Sequence, residues 1–194
     1  MKIGILAIQG DFELHARKIV ETGNDYLLVK KTSQLDEIDG IILPGGESTT
    51  ISKIISRYAL DEILRERVEN GFPVFATCAG LIMLAKKLEG KESEVTPLGV
   101  LNITVKRNAY GRQRESFEAP LKINLDGKEV GVTGVFIRAP KIVDMGKEVQ
   151  VLGRFEDSPV IVRQGNILAM TFHPELAEGT EIYEYFLNII IGRR

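Results

Sequence analysis

The chain has a single cysteine, Cys78, in 194 residues, so no disulfide can form within it. It also lacks a charge excess: 25 basic residues stand against 27 acidic ones, for a formal net charge of -2. That balance gives no general attraction to nucleic acid or to an anionic membrane, and any charged ligand must be met locally. No apolar run approaches the roughly 18 residues that a membrane-spanning helix needs. No segment is visibly repeated or low in complexity. The first residues, MKIGILAIQGDFELHARK, reach Asp11 before an apolar secretory segment could form. These absences lead us to expect a cytoplasmic protein with neither a nucleic-acid nor a membrane partner. Histidine is scarce too, so imidazole chemistry has only His15 and His173 to draw on.

What is present is a core. With 44% apolar residues the chain can bury a large interior without metal or disulfide, and we expect one domain spanning residues 1–194. Short β-rich runs alternate with helical patterns: KIGILAI, then DFELHARKIVETG, DYLLVK and DGIILPGG. This is the rhythm of parallel βαβ units. The strands lack polar alternation, as strands covered on both faces should. Asp11 and Ser48 are candidate N-caps, and Gly23 and Gly71 candidate helix stops. PVFAT reads as a strand and AGLIMLAKKL as a helix ending near Gly90. Beyond Pro97 the pattern changes to strands joined by DG and QGN turns, which predicts antiparallel pairing. GTEIYEYFLNIII closes the chain as a helix. The expected fold is therefore α/β and three-layered, with a mostly parallel central sheet, helices on both faces and an antiparallel extension.

Cys78 falls where the PVFAT strand turns directly into a helix. A lone cysteine in such a chain is commonly a buried structural thiol. At a strand-to-helix turn, however, unpaired backbone N–H groups favour a thiolate, and the Ala79 N–H can stabilise an oxyanion. Such a nucleophile elbow needs small residues two positions to either side. Gly80 meets that need, and Ala76 is a mild departure from the usual glycine. The stretch alone leaves both readings open.

A thiolate requires a base. His15 lies within the first amphipathic helix, where a surface or half-buried role is expected. His173, in LAMTFHPE, follows a buried strand at the sheet edge where α/β folds gather functional groups. Glu175, two residues on in an extended segment, would point the same way and could orient the imidazole. A solvated turn is the alternative. LPGGESTT also follows a strand. It lacks the lysine of a phosphate-binding P-loop and the spacing of a dinucleotide fingerprint, and reads either as a second oxyanion donor or as a tight turn with a capping serine.

PGGES, TCAGLIML and FHPE, in that order, resemble the class I glutamine amidotransferases, which carry a Cys-His-Glu triad. AIQGDFELH, LPGGESTT, KRNAYGRQRESFE and GVFIRAP extend the likeness, over nearly the whole chain, to the family of glutaminase subunits that serve pyridoxal 5'-phosphate synthesis. The resemblance implies hydrolysis of L-glutamine to glutamate and ammonia through a thioester, with Cys78 as nucleophile, His173 as base and Glu175 as orienting acid. It implies glutamine-holding roles for Gly46, Glu47, Ser48, Arg107, Ile137 and Arg138; a solvated basic loop was the alternative for both arginines. It further implies low activity until the chain docks with a barrel-shaped synthase subunit in a hetero-oligomer, when the Gly45–Gly46 peptide can turn an N–H toward the oxyanion. No cofactor and no metal are expected. The loop from Lys106 to Glu118, with Arg107, Arg112 and Arg114, is a candidate for substrate closure and partner contact. Rival readings are a glutaminase serving another synthase, and a cysteine hydrolase of esters or γ-glutamyl groups. The order Cys, His, Glu differs from that of α/β-hydrolases, where the acid precedes the histidine.

Overall fold

A computed structural model of the chain describes residues 1–90, 94–107, 109 and 116–193. Its elements run β1 (Lys2–Leu6), α1 (Phe12–Glu21), β2 (Asp25–Val29), β3 (Gly40–Leu43), α2 (Ser48–Arg57), α3 (Leu60–Glu69), β4 (Val74–Thr77) and α4 (Ala79–Leu84). The second half holds β5 (Ala85–Glu89), β6 (Leu101–Lys106), β7 (Ser116–Leu125), β8 (Lys128–Ile137), β9 (Lys141–Met145), β10 (Gln150–Phe155), β11 (Ser158–Gln164), β12 (Ile167–Met170) and α5 (Glu181–Arg193).

Nine strands form one sheet in the order β2-β1-β3-β4-β12-β11-β10-β7-β8. From β2 to β12 neighbours are parallel, and from β12 outward they are antiparallel. Thus β12 belongs to both halves, and the expected antiparallel extension grows directly from the parallel core. Asp126 and Gly127 both have positive φ, at 51° and 94°, and join Leu125 to its partner Lys128 in the two-residue turn that a DG pair favours.

The apolar runs of β3, β4 and β12 are continuous because successive side chains enter different cores. Ile41, Leu43, Val74, Ala76, Ile167 and Ala169 pack with α2, α3 and α4. Ile42, Phe75, Leu168 and Met170 pack with α1 and α5. Phe75 is fully buried and stacks on Tyr183 with ring centroids 4.9 Å apart. Burying one such ring contributes about 3 kcal/mol.

Four local expectations need correction. The helix after Cys78 stops at Leu84 instead of running to Gly90, because Ala85–Glu89 pairs in parallel with β6 in a separate three-stranded sheet, β5-β6-β9. Tertiary pairing overrides the helical propensity of the AKKL stretch. Glu47, not Ser48, caps α2: its carboxylate accepts from the Thr49 and Thr50 N–H groups, and Ser48 becomes the first helical residue. Asp11 occupies the cap position of α1 but its side chain makes no capping bond. The proposed Lys106–Glu118 loop is shorter than expected, since Lys106 ends β6 and Ser116–Glu118 open β7. Arg112 and Arg114 lie outside the described residues.

Candidate active site

In parallel α/β sheets, ligands bind outside the carboxyl ends of the strands. Here Gln9 follows β1, Gly45 follows β3, Cys78 follows β4 and His173 follows β12. All four strands are parallel neighbours, so these residues meet along one edge.

Cys78 makes the turn itself. Its φ of 47° and ψ of -101° lie outside the regions where L-residues are comfortable, which costs on the order of 1–3 kcal/mol. The strain is held from both sides, because the Cys78 N–H donates to the Met170 carbonyl at 2.9 Å and its carbonyl accepts from Ile82 N–H at 3.2 Å. Gly80 is required here: a Cβ on it would stand 2.1 Å from the Leu43 carbonyl oxygen. Ala76 points instead into the core beside α4, fully buried among Leu43 and Ala169. The tightness of the elbow therefore falls on Gly80, and the alanine two residues before the cysteine is accommodated.

His173 leaves β12 with its N–H donating to the Val135 carbonyl at 2.8 Å, which ties it to β8. Its Nδ1 lies 2.7 Å from Glu175 Oε1, and Cys78 is close enough to act electrostatically on the same ring. Glu175 reaches the imidazole through a short 3-10 turn, Pro174–Leu176, and not through the extended segment expected from sequence. Cys78 Sγ also lies 3.9 Å from the Ile137 carbonyl oxygen at the end of β8. The adjacent Arg138 is exposed and has a positive φ of 44°. Arg107, half-buried, sits 3.7 Å from Glu47. Five of the expected site residues, Cys78, His173, Glu175, Gly45 and Ile137, thus converge, with Glu47 and Arg107 paired nearby.

Burial opposes a charged imidazole, but hydrogen bonds and charge from Cys78 and Glu175 outweigh it and push His173 up to about 10. Burial also opposes the Glu175 carboxylate, yet the flanking His15 and His173 hold it below the usual carboxylate range. The native state therefore favours an imidazolium-carboxylate pair. The raised His173 value stabilises the native state wherever the unfolded imidazole is already protonated. Its contribution is fully present below about 6.5 and is lost as pH rises toward about 10. Chemical denaturation across that window should show the native chain losing its stability advantage over His173→Gln; a constant difference would contradict the pairing.

His15 is not the surface or half-buried residue its helix pattern suggests. It is fully buried, with Nδ1 2.8 Å from the Tyr183 hydroxyl. Its Nε2 lies 3.5 Å from Glu175 Oε1 and 3.4 Å from Thr77 Oγ1. Thr77 in turn accepts the Gly45 N–H at 2.9 Å, and Gln9 Oε1 accepts the Glu47 N–H at 2.7 Å. These two bonds fix the ends of the Gly45–Gly46–Glu47 loop. Its approach to the imidazole is close, for a Cβ on Gly45 would stand 2.4 Å from His173 Cε1. Across the loop, a Cβ on Gly10 would stand 1.8 Å from the Gly45 carbonyl oxygen. Hydrogen bonds from Thr49 and Thr50 overcome the modest burial of Glu47 and lower its carboxyl to about 2.

Sequence reasoning missed Gln9, Thr77, His15 and Tyr183 as parts of this site. For Gln9 and Thr77 the signal was available: a polar residue at or just past the carboxyl end of a buried parallel strand is placed at the site edge. Among the described residues, no cluster of His, Cys, Asp and Glu could hold a metal ion, and no helix is long and apolar enough to cross a membrane.

The model of the SNO glutamine amidotransferase family matches residues 5–191. A pyridoxal 5'-phosphate synthase subunit PdxT from Thermotoga maritima is 51% identical over 190 residues, covering 98% of this chain and 100% of the relative. A PdxT from Geobacillus thermodenitrificans is 50% identical, covering 98% and 95%. Among solved structures, a glutamine amidotransferase superposes with a TM-score of 0.91 at 45% identity, covering 97% of this chain and 98% of that one. A putative GMP synthase subunit from Thermoplasma acidophilum reaches 0.70 at 19% identity, over 100% of this chain and 96% of the other, and shares the fold.

Proposed function

Because the chain belongs to the SNO glutamine amidotransferase family, we propose that it is the glutaminase subunit of a pyridoxal 5'-phosphate synthase and works through Cys78, His173 and Glu175. The observation that carries this reading is the convergence of a strained elbow cysteine with a buried imidazole that is itself bonded to a buried carboxylate. That is the arrangement acyl transfer through a thiol requires.

Cys78 attacks the side-chain amide carbon of glutamine as a thiolate paired with the His173 imidazolium. The oxygen of the tetrahedral adduct takes a hydrogen bond from the Ala79 N–H, and a second from Gly46 once the Gly45–Gly46 peptide turns toward it. His173 gives its proton to the amide nitrogen, the C–N bond breaks and ammonia leaves a glutamyl thioester. The neutral imidazole then takes a proton from water, the hydroxide adds to the thioester carbon, and glutamate departs as the thiolate reforms. Glu175 balances the imidazolium in both halves. Glu47, Ser48, Arg107, the Ile137 backbone and Arg138 surround the amino-acid end of the substrate. Losing one oxyanion donor costs about 3 kcal/mol in comparable sites, so an unturned Gly46 peptide keeps the lone subunit slow.

The ammonia acceptor is a separate, barrel-shaped synthase subunit, and the stretch from Lys106 to Glu118 is the candidate segment for substrate closure and partner contact. Supplying glutamine labelled with ¹⁵N in its amide to the mixed subunits should place the label in pyridoxal 5'-phosphate. Label found only in the product of a different synthase would refute the assignment to this pathway and leave the glutaminase reading intact.

A further inference from the structure

We propose that His15 and Tyr183 are positioning residues for glutamine hydrolysis: a second buried imidazole, fixed by a tyrosine hydroxyl, holds Glu175 and Thr77 and so sets both His173 and the Gly45 loop. The proposal rests on the reading of Cys78, His173 and Glu175 as the catalytic set.

The Glu175 carboxylate beside Nε2 selects one direction among those the His15 tautomers allow. Burial, and next the negative charges of Glu175 and Glu21, raise the Tyr183 hydroxyl well above its usual range, so it keeps its proton and donates. With the His15 proton drawn to Nε2 by the Glu175 carboxylate, Nδ1, 2.8 Å from the hydroxyl, accepts. Burial lowers His15, against the pull of Glu175 and Asp11 and together with the charge of His173, so its ring is neutral and its one proton sits on Nε2. That N–H faces two acceptors, Glu175 Oε1 at 3.5 Å and Thr77 Oγ1 at 3.4 Å. Thr77 passes the constraint to the Gly45 N–H at 2.9 Å.

A second observation makes this more than core filling. Glu175 Oε2 is buried and has no hydrogen-bond partner among the described residues. The side-chain partners found for the carboxylate therefore act through Oε1, which His173 and His15 share. His173 cannot be both the group positioned and the only group positioning. The independent hold comes from α1 through His15, and α5 fixes His15 through Tyr183. The same ring faces the triad and the oxyanion loop, so one tautomer serves both.

The test measures glutamine hydrolysis by the full chain with its synthase subunit, for the native protein, Tyr183→Phe, His15→Leu and His15→Gln, with Cys78→Ala as control. Tyr183→Phe frees the His15 tautomer, and should lower kcat about tenfold while KM for glutamine stays within about twofold. Because the His15 Nε2–H faces the Glu175 carboxylate and favours its ionised form, loosening it should also move the acid limb of the kcat profile to higher pH. The titratable groups bearing on that limb are His173, His15, Tyr183 and Cys78, with Asp11 acting on His15 and Glu21 on Tyr183. His15→Gln, which retains an N–H donor, should recover part of the activity that His15→Leu loses. A folded Tyr183→Phe with native kcat and an unmoved acid limb would overturn the proposal, as would His15→Gln losing as much as His15→Leu. If His15→Leu fails to fold, the Tyr183→Phe result decides alone. Native-like turnover by Cys78→Ala would instead overturn the catalytic reading itself, and this proposal with it.

Discussion

Cys78→Ala is expected to lose glutamine hydrolysis by on the order of 10⁴-fold or more, since no other group can form the acyl intermediate and members of such a set fail together. The fold should survive, because the Cys78 side chain is small and its backbone bonds to Met170 and Ile82 do not involve the sulfur. The elbow geometry makes the experiment sharper. Alanine inherits the φ of 47° that cysteine endures, whereas glycine adopts positive φ without penalty. Cys78→Gly should therefore be inactive as well, yet more stable than Cys78→Ala by about 1 kcal/mol or more. Paired denaturation curves and glutamate assays measure both effects. Equal stability of the two variants would mean that the elbow stores no strain, and residual turnover in either would remove Cys78 from the mechanism.

Gly45→Ala should give a loss of the second-largest size, about 10²-fold or more in kcat, from a single methyl group. Gly45 is not at a positive φ, so alanine meets no conformational objection there. The objection is the neighbour. The added Cβ would stand 2.4 Å from His173 Cε1 and 3.1 Å from Nδ1, so the ring must move away from Cys78 or break its 2.7 Å contact with Glu175. The loop could yield instead only by releasing Thr77 and Gln9. Activity should thus fall far more than stability. Gly80→Ala gives the opposite profile, because its Cβ meets the Leu43 backbone and the elbow itself has to open. An active Gly45→Ala would show that the glycine loop does not pack on the working imidazole.

Much of this architecture was legible because it is local. The uninterrupted apolar runs of β3, β4 and β12 announce strands covered on both faces, and the two cores they feed account for each residue in turn. The DG turn and the positions of Cys78 and His173 after strands follow from short-range chemistry as well. The misreadings are equally instructive. Ala85–Glu89 has a helical composition, and only its pairing with Leu101–Lys106 makes it a strand. Ser48 is a common capping residue, but Glu47 reaches two N–H groups and excludes it. His15 was the hardest to see, since its partner Tyr183 is 168 residues away and no periodicity within α1 distinguishes a buried relay from a half-exposed helix position. Side chains that join distant elements become visible only when the sheet brings the elements together.

The most direct test of the central claim is mass spectrometry of the chain, mixed with its synthase subunit and glutamine and quenched rapidly in acid. A glutamyl group attached to the peptide that contains Cys78 should form and be consumed at the rate of glutamate release. Glutamate release at that rate with no adduct on Cys78, or with the adduct on another residue, would contradict that claim.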